Sequence, residues 1–268
     1  MVSIRIFAVA LLLCTVASFA AEENVVNRPD AKACSDVDIA RLAHARLESV
    51  VDGDTLMLVN RDHPKGVKVR LIGVNTPEFG RDGQRDQPLA KRASQFTQDF
   101  FHKKDVYYRV GEGKGRDNHN RLLVHLYNHR GESLEQALIA LGLAWHVAFP
   151  PDMGMSECLS YLESEAKANG IGVWSPQIYQ PVAVHQLQTT GFQRVTGKVS
   201  KISIGKSWKL WLGKDMLVVI YPEYQSYFDR RNIEQLVGEK VELRGWVYRR
   251  KGLWRLRLMT PYGIQIAY

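Results

Sequence analysis

Between residues 45 and 127, apolar residues recur with strand period in short runs, and turn chemistry cuts off each run. Residues 45–60 alternate in this way around an interrupting Asp52-Gly53-Asp54-Thr55, and residues 67–74 form a second run after the turn Asp62-His63-Pro64-Lys65-Gly66. Two more strands are predicted over 106–110 and 122–127, flanking a Gly-, Asn- and charge-rich loop at 111–121. Helical spacing appears over 87–101, through Leu89, Ala93, Phe96 and Phe100, and again over 133–141 and 156–168. Thr76-Pro77-Glu78 has the grammar of a turn or helix start. The class is therefore mainly β with helices, α+β, and a hydrophobic content of 45% excludes disorder along the whole length.

The two ends depart from this pattern. Arg5 precedes an apolar run at 6–16 that closes on Ala-Ser-Phe-Ala-Ala, so residues 1–20 are expected to be a secretory signal and the protein periplasmic or secreted, in a bacterium. That run is too short to span a bilayer and no second one follows, so no membrane span is expected. Residues 21–44 read as an N-terminal extension. Cys34 and Cys158 remain after signal removal; in an oxidising compartment they either form one disulfide or stay as two buried thiols.

At the other end, residues 191–268 hold fifteen Lys or Arg against six Asp or Glu, a local +9 in a chain whose whole balance is +8. The basic excess thus sits in the last third and calls for a polyanionic partner or a solvated basic face. Residues 177–190, polar and with Pro181, read as the linker before it.

Four patches between Asp52 and Arg121 carry the chemistry. Asp52 and Asp54 present two carboxylates that need a cation or strong donors beside them. Arg70 is a permanent cation within the apolar Val69-Arg70-Leu71-Ile72. Asn75-Thr76-Pro77-Glu78 follows it, and Arg116-Asp117-Asn118-His119-Asn120-Arg121 enters a strand. Each has an ordinary structural explanation when taken alone.

Together, in order and spacing, these patches resemble the thermonuclease family, the staphylococcal-nuclease-like domain. The resemblance runs over 45–176 and includes Val51-Asp52-Gly53-Asp54-Thr55, Arg70-Leu71-Ile72-Gly73-Val74-Asn75-Thr76-Pro77-Glu78, Asp117 to Arg121 and the ending Gly172-Val173-Trp174-Ser175. It implies an OB-type five-stranded barrel with three helices that binds Ca2+ and cuts phosphodiester bonds of DNA and RNA, leaving a 3′-phosphate. On the family pattern Arg70 and Arg121 contact the scissile phosphate and Glu78 serves the attacking water. Asp54, Asn75 and Thr76 are the metal residues, Thr76 through its main-chain carbonyl. Asn75 stands where the family typically shows an aspartate, and His119, assigned to nucleic-acid binding, where it commonly shows a tyrosine.

Residues 191–268 interleave cations with Trp208, Trp211, Tyr224, Trp246, Tyr248 and Trp254, and resemble a second small OB-like β-barrel. Arg244, Trp246 and Tyr248 share one strand face and are expected to bind nucleic acid, single-stranded by preference; the alternative is that the rings pack the barrel. No obligate protein partner is expected. The functional expectation is an exported nuclease. Its alternatives are a catalytically impaired nucleic-acid-binding protein of the same fold, and an envelope protein gripping anionic lipid or polysaccharide.

Overall fold

The computed structural model describes residues 37–80 and 83–267. The expected signal, most of the extension and Cys34 lie outside the described residues. No helix among those described is long and apolar enough to cross a membrane.

The first barrel is built from β1 (Ala43–Asp52), β2 (Thr55–Val59), β3 (Val67–Leu71), β5 (Asp105–Val110) and β6 (Leu122–Tyr127), with the two-residue β4 (Val74–Asn75) set apart. The five strands close in the order β1-β2-β3-β6-β5, antiparallel except for β3 against β6. Alternation sends Ala45, Leu47, Leu56, Leu58, Val69 and Leu71 inward. Register shifts in β1 between Leu47 and Ser49 and between Val50 and Asp52 re-aim the strand, so Asp52 is buried after an exposed Val51.

Three helices cover this barrel: α1 (Ala90–Phe100), α2 (Leu134–Ala140) and α3 (Ser156–Ala168), with β7 (Trp145–His146) pairing β4. Helix α1 starts three residues later than the spacing suggests. Leu89, just before it, adopts φ 69° in the left-handed region, and Pro88 disfavours helical backbone at Gln87. Ser133 caps α2 through the Gln136 N–H, and the fully buried Glu135 accepts from Ser133 Oγ and sits 3.0 Å from His125 Nδ1. Thr76-Pro77-Glu78 starts no helix: residues 76–80 are irregular, held where the Gln87 N–H donates to the Glu78 carbonyl and the Glu78 N–H to Gln87 Oε1.

The second barrel comprises β9 (Gly191–Ser203), β10 (Trp208–Leu212), β11 (Met216–Ile220), β12 (Lys240–Arg250) and β13 (Leu253–Arg257). Its order β9-β10-β11-β13-β12 closes through a β12–β9 pairing, again with one parallel pair, β11 against β13. Strand β8 (Val182–Ala183) adds to β9, β14 (Ile264–Ile266) adds to β12, and a short α4 (Arg230–Glu234) lies between β11 and β12. The stretch 177–190 is less free than its composition suggests. Besides β8, it places Val184 and Leu187 in the second core, and Tyr179 Oη donates to the Pro88 carbonyl.

The barrels meet across a buried ionic and aromatic seam. Arg244 Nη1 on β12 lies 2.7 Å from Glu163 Oε1 on α3, both nearly buried. The same Glu163 oxygen accepts the His146 N–H at 2.6 Å. Trp174 carries the Arg194 guanidinium 4.5 Å from its ring centre, with Lys167 and Arg244 also over it. Phe192 bridges Trp145 and Trp246 at ring-centre distances of 5.2 and 4.9 Å. Removing either member of such a buried pair would cost about 3–5 kcal/mol, mostly from the charge left behind.

Candidate nuclease site

The turn between β1 and β2 is the floor of the site. A Cβ at Gly53 would lie 2.8 Å from both Ala93 Cβ and Thr76 Cγ2, so only glycine lets the turn sit against α1 and the 76–80 segment. Thr97 Oγ1 donates to the Gly53 carbonyl at 2.7 Å. Asp54 follows, buried: its Oδ2 accepts the Thr76 N–H at 2.7 Å and its Oδ1 accepts the Thr55 hydroxyl at 3.1 Å. Asp52 Oδ1 accepts the Asp54 N–H at 3.3 Å. Burial first, and the Asp54 carboxylate second, push the Asp52 carboxyl up to about 7. This is a buried acidic pair with more negative charge than one guanidinium offsets.

That guanidinium is Arg70, opposite Thr55 in the β2–β3 register. Its Nη1 donates to the carbonyls of Leu71 and Val74 at 3.0 and 2.8 Å and lies 3.1 Å from Asp54 Oδ2. Its Nη2 donates to Asn75 Oδ1 at 3.0 Å. Nε–H and the second Nη2 hydrogen have no partner among the described residues, and they form one of the two forked edges of the group.

Arg121 is fixed by its own loop. The 117–121 turn closes as Asp117 Oδ1 accepts the N–H groups of His119 and Arg121, with Asn120 at φ 60°. Asp117 Oδ2 takes Arg121 Nε at 2.7 Å and Nη2 at the same distance. Burial alone would raise the Asp117 carboxyl, but the Arg121 main-chain and guanidinium donors hold it below the usual range. Arg121 Nη1 reaches Thr55 Oγ1 only at 3.4 Å, so its outer edge is open to another acceptor. Glu78 is exposed at the end of the segment that Thr76 ties to Asp54.

The oxygen set suits a hard cation. The buried carboxylates of Asp52 and Asp54 and the amide oxygen of Asn75, which Arg70 Nη2 also holds, are the oxygen types calcium takes, and Thr76 Oγ1 is buried with no partner among the described residues. Among the described residues no three of His, Cys, Asp or Glu converge on one point, so any cation here leans on amide, hydroxyl and main-chain oxygens.

Arg70, Asp117, His119 and Arg121 open on one cavity of about 720 Å³, whose far wall is Arg244, Trp246, Tyr248 and Arg257 of the second barrel. The face that strand period gave to Arg244, Trp246 and Tyr248 does turn to this cleft. Arg244, however, is committed to Glu163 and to the Tyr262 carbonyl, so it fastens the barrels together and is not a free cation for nucleic acid. Trp246 is 39% exposed, its ring centre 5.4 Å from that of Phe149. Trp145, by contrast, is buried and packs edge-on to Tyr179. Sequence reasoning missed His146, which lines the cleft with both ring nitrogens buried and unpartnered among the described residues. Burial, with Arg244 second, pushes its imidazole down to about 3, so it is neutral. Its only sequence signal is a polar residue inside Ala144-Trp145-His146-Val147-Ala148. Cys158 is buried on α3.

Sequence comparison with known proteins relates the same part of the chain to nucleases. Residues 68–176 match the family model of staphylococcal nuclease homologues, a stretch that runs from β3 of the first barrel to just past α3. The match begins inside β3, after Asp52 and Asp54. The thermonuclease of Staphylococcus intermedius is 28% identical over 129 residues, 48% of this chain and 74% of that protein. The thermonuclease of Staphylococcus hyicus is 29% identical over 126 residues, 47% and 72% of the two chains. A probable endonuclease, LCL3, of Phaeosphaeria nodorum is 26% identical over 138 residues, 49% of this chain and 45% of that one. Nuclease activity is what this domain and these relatives support.

Proposed function

We propose that this chain is an exported, calcium-dependent nuclease that hydrolyses phosphodiester bonds of DNA and RNA, with single strands preferred. What carries the proposal is the pair Arg70 and Arg121. Each is held on one edge by the protein and keeps donors open on the other, beside a buried acidic pair, on the wall of one cleft.

Attack of water on a phosphodiester builds negative charge on the non-bridging oxygens. Arg70 offers Nε–H and Nη2–H to those oxygens, and Arg121 offers its outer edge, so neither must reorganise as charge develops. Glu78, exposed and therefore in reach of solvent, takes a proton from the attacking water or orients it, a contribution of about 10²–10⁴-fold. Asp54, Asn75 and Thr76, with Asp52 behind them, would hold the calcium ion. Bound there, the ion would neutralise part of the phosphate charge. Tyr248, Trp246 and His119 line the approach and offer ring faces to bases. In an oxidising compartment Cys34 and Cys158 pair, which a thiol titration of the denatured exported protein would refute by finding two free thiols.

The test is incubation of the chain, without residues 1–20, with single-stranded DNA in millimolar calcium and in EDTA, beside Glu78→Gln. Fragmentation only by the unaltered chain in calcium is expected. DNA left intact in every tube but retarded on a gel would instead favour a binding protein of the same fold, with Asn75 in place of an acidic ligand as its cause.

A further inference from the structure

The outer face of the second barrel has a feature that neither cleft nor family match uses. Strand register puts Tyr248 opposite Arg255, Arg255 opposite Leu217, Leu217 opposite Trp211 and Trp211 opposite Lys201. These five positions therefore form one row across all five strands. The next row runs through Arg257, Val219, Lys209 and Ser203. The inward residues of the same strands, such as Val247, Leu256, Val218 and Leu210, fill the core, so both rows face out. Tyr248 and Arg257, at one end, also line the catalytic cleft.

The rows carry four cations and no acid. Lys201, Lys209, Arg255 and Arg257 form no ion pair among the described residues. The contacts that two of them make are with rings: Lys201 lies 5.4 Å from the centre of Trp211, and Arg257 5.1 Å from that of Tyr221. Flat rings alternating with unpaired cations along a barrel face suit a strand whose phosphates need charge and whose bases need stacking. Leu217 and Val219 are buried beneath their neighbours, and no large apolar side chain of either row is exposed. A membrane surface, which rewards protruding apolar groups, is the poorer match.

We propose that this face is a track for single-stranded nucleic acid, leading from the cleft at Tyr248 and Arg257, over Arg255 and Trp211, to Lys201 and Lys209. The proposal rests on the nuclease reading of the cleft and adds how the substrate is held beyond it. Four inter-strand steps of about 4.8 Å give a track on the order of 19 Å, in keeping with the about 4–16 nucleotides that one OB barrel covers. Strands β10 and β11 are the second and third of the barrel, the pair whose face other OB barrels present to oligonucleotides. Grip would thus depend on length: a trinucleotide fills the cleft, whereas a longer strand also engages the track.

The experiment compares the full chain with Lys201→Ala/Lys209→Ala and with the triple variant adding Trp211→Ala. Binding of a labelled dT fifteen-mer is measured by anisotropy in EDTA over a salt series, and hydrolysis of a dT trinucleotide in calcium. Both lysines are exposed, so the double variant keeps the fold and reads the track even if the triple does not. The triple variant is expected to bind the fifteen-mer at least about fivefold more weakly. Its salt slope should be shallower by about 1.4 for two lost phosphate contacts, with trinucleotide hydrolysis unchanged. Unchanged fifteen-mer binding in both variants overturns the track, as does an equal loss on both lengths. So does loss of binding to anionic phospholipid vesicles with fifteen-mer binding intact. If the unaltered chain cleaves nothing but the fifteen-mer loss is seen, the nuclease reading fails and the track stands.

Discussion

Two barrels with the same strand order, each with its single parallel pair between the third and fifth strands, carry charge in opposite ways. In the first, the third strand holds Arg70 and the β1–β2 turn holds Asp54; both are buried and bound to each other and to main chain, with one edge of the guanidinium left open. In the second, the third strand is Met216–Ile220, wholly apolar and buried, and Lys201, Lys209, Arg255 and Arg257 stand on the outer face without acidic partners among the described residues. The buried arrangement fixes donors against a reacting group, which is what rate acceleration needs. The exposed one can meet a mobile polyanion in many registers, which is what grip needs. Topology alone distinguishes neither, since function lies in the side chains set on the fold.

If the first barrel is the catalytic one, conservative changes there should be the most damaging. Arg70→Lys and Arg121→Lys keep charge but lose the fork, and each is expected to lower kcat by about 10²–10³-fold with little change in oligonucleotide Kd in EDTA. Near-normal turnover in either would erase the contrast between the barrels.

The seam between them comes next. Glu163→Gln or Arg244→Met alone should each cost about 3–5 kcal/mol in denaturant unfolding, while the double variant Glu163→Met/Arg244→Met should recover most of it. Single variants as stable as the parent would mean that the barrels are not held by this pair. His146 adds a pH dependence. Its folded-state value, about 3, lies below its ordinary 6.5, so the unfolded chain binds the extra proton and stability is lost as pH falls below 6.5. At pH 5 the loss is about 2 kcal/mol relative to neutral pH. His146→Phe should remove that part of the acid slope, as read from the wild-type-minus-variant difference.

The smallest effect sharpens the first barrel. Asn75→Asp restores an acidic oxygen beside Asp54 and should lower half-saturating calcium several-fold in the cleavage assay. An unchanged value would remove Asn75 from the metal residues.

The strand runs and helices of the first barrel were legible because alternation and caps are local. Arg70 stood out as a cation in an apolar strand, whereas the Asp117–Arg121 pair, four residues apart in its turn, emerged only with the folded loop. Arg244 was misread because alternation tells which face a side chain takes, not what waits there, and Glu163 waits there from a helix some eighty residues earlier. The cleft itself, and His146 in its wall, arise where two remote segments pack, which no local period encodes. The stretch 177–190 looked like linker for the same reason: Val184 and Leu187 are isolated apolar residues until the second core meets them.

The division of labour is tested most directly by steady-state kcat and KM on one single-stranded oligonucleotide, with Glu78→Gln in the first barrel and Tyr248→Ala in the second. Glu78→Gln should lower kcat by about a hundredfold or more and leave KM within about twofold, while Tyr248→Ala should raise KM about fivefold or more with kcat nearly intact. Retained kcat in Glu78→Gln, or a kcat loss at unchanged KM in Tyr248→Ala, would contradict the assignment of turnover to one barrel and grip to the other.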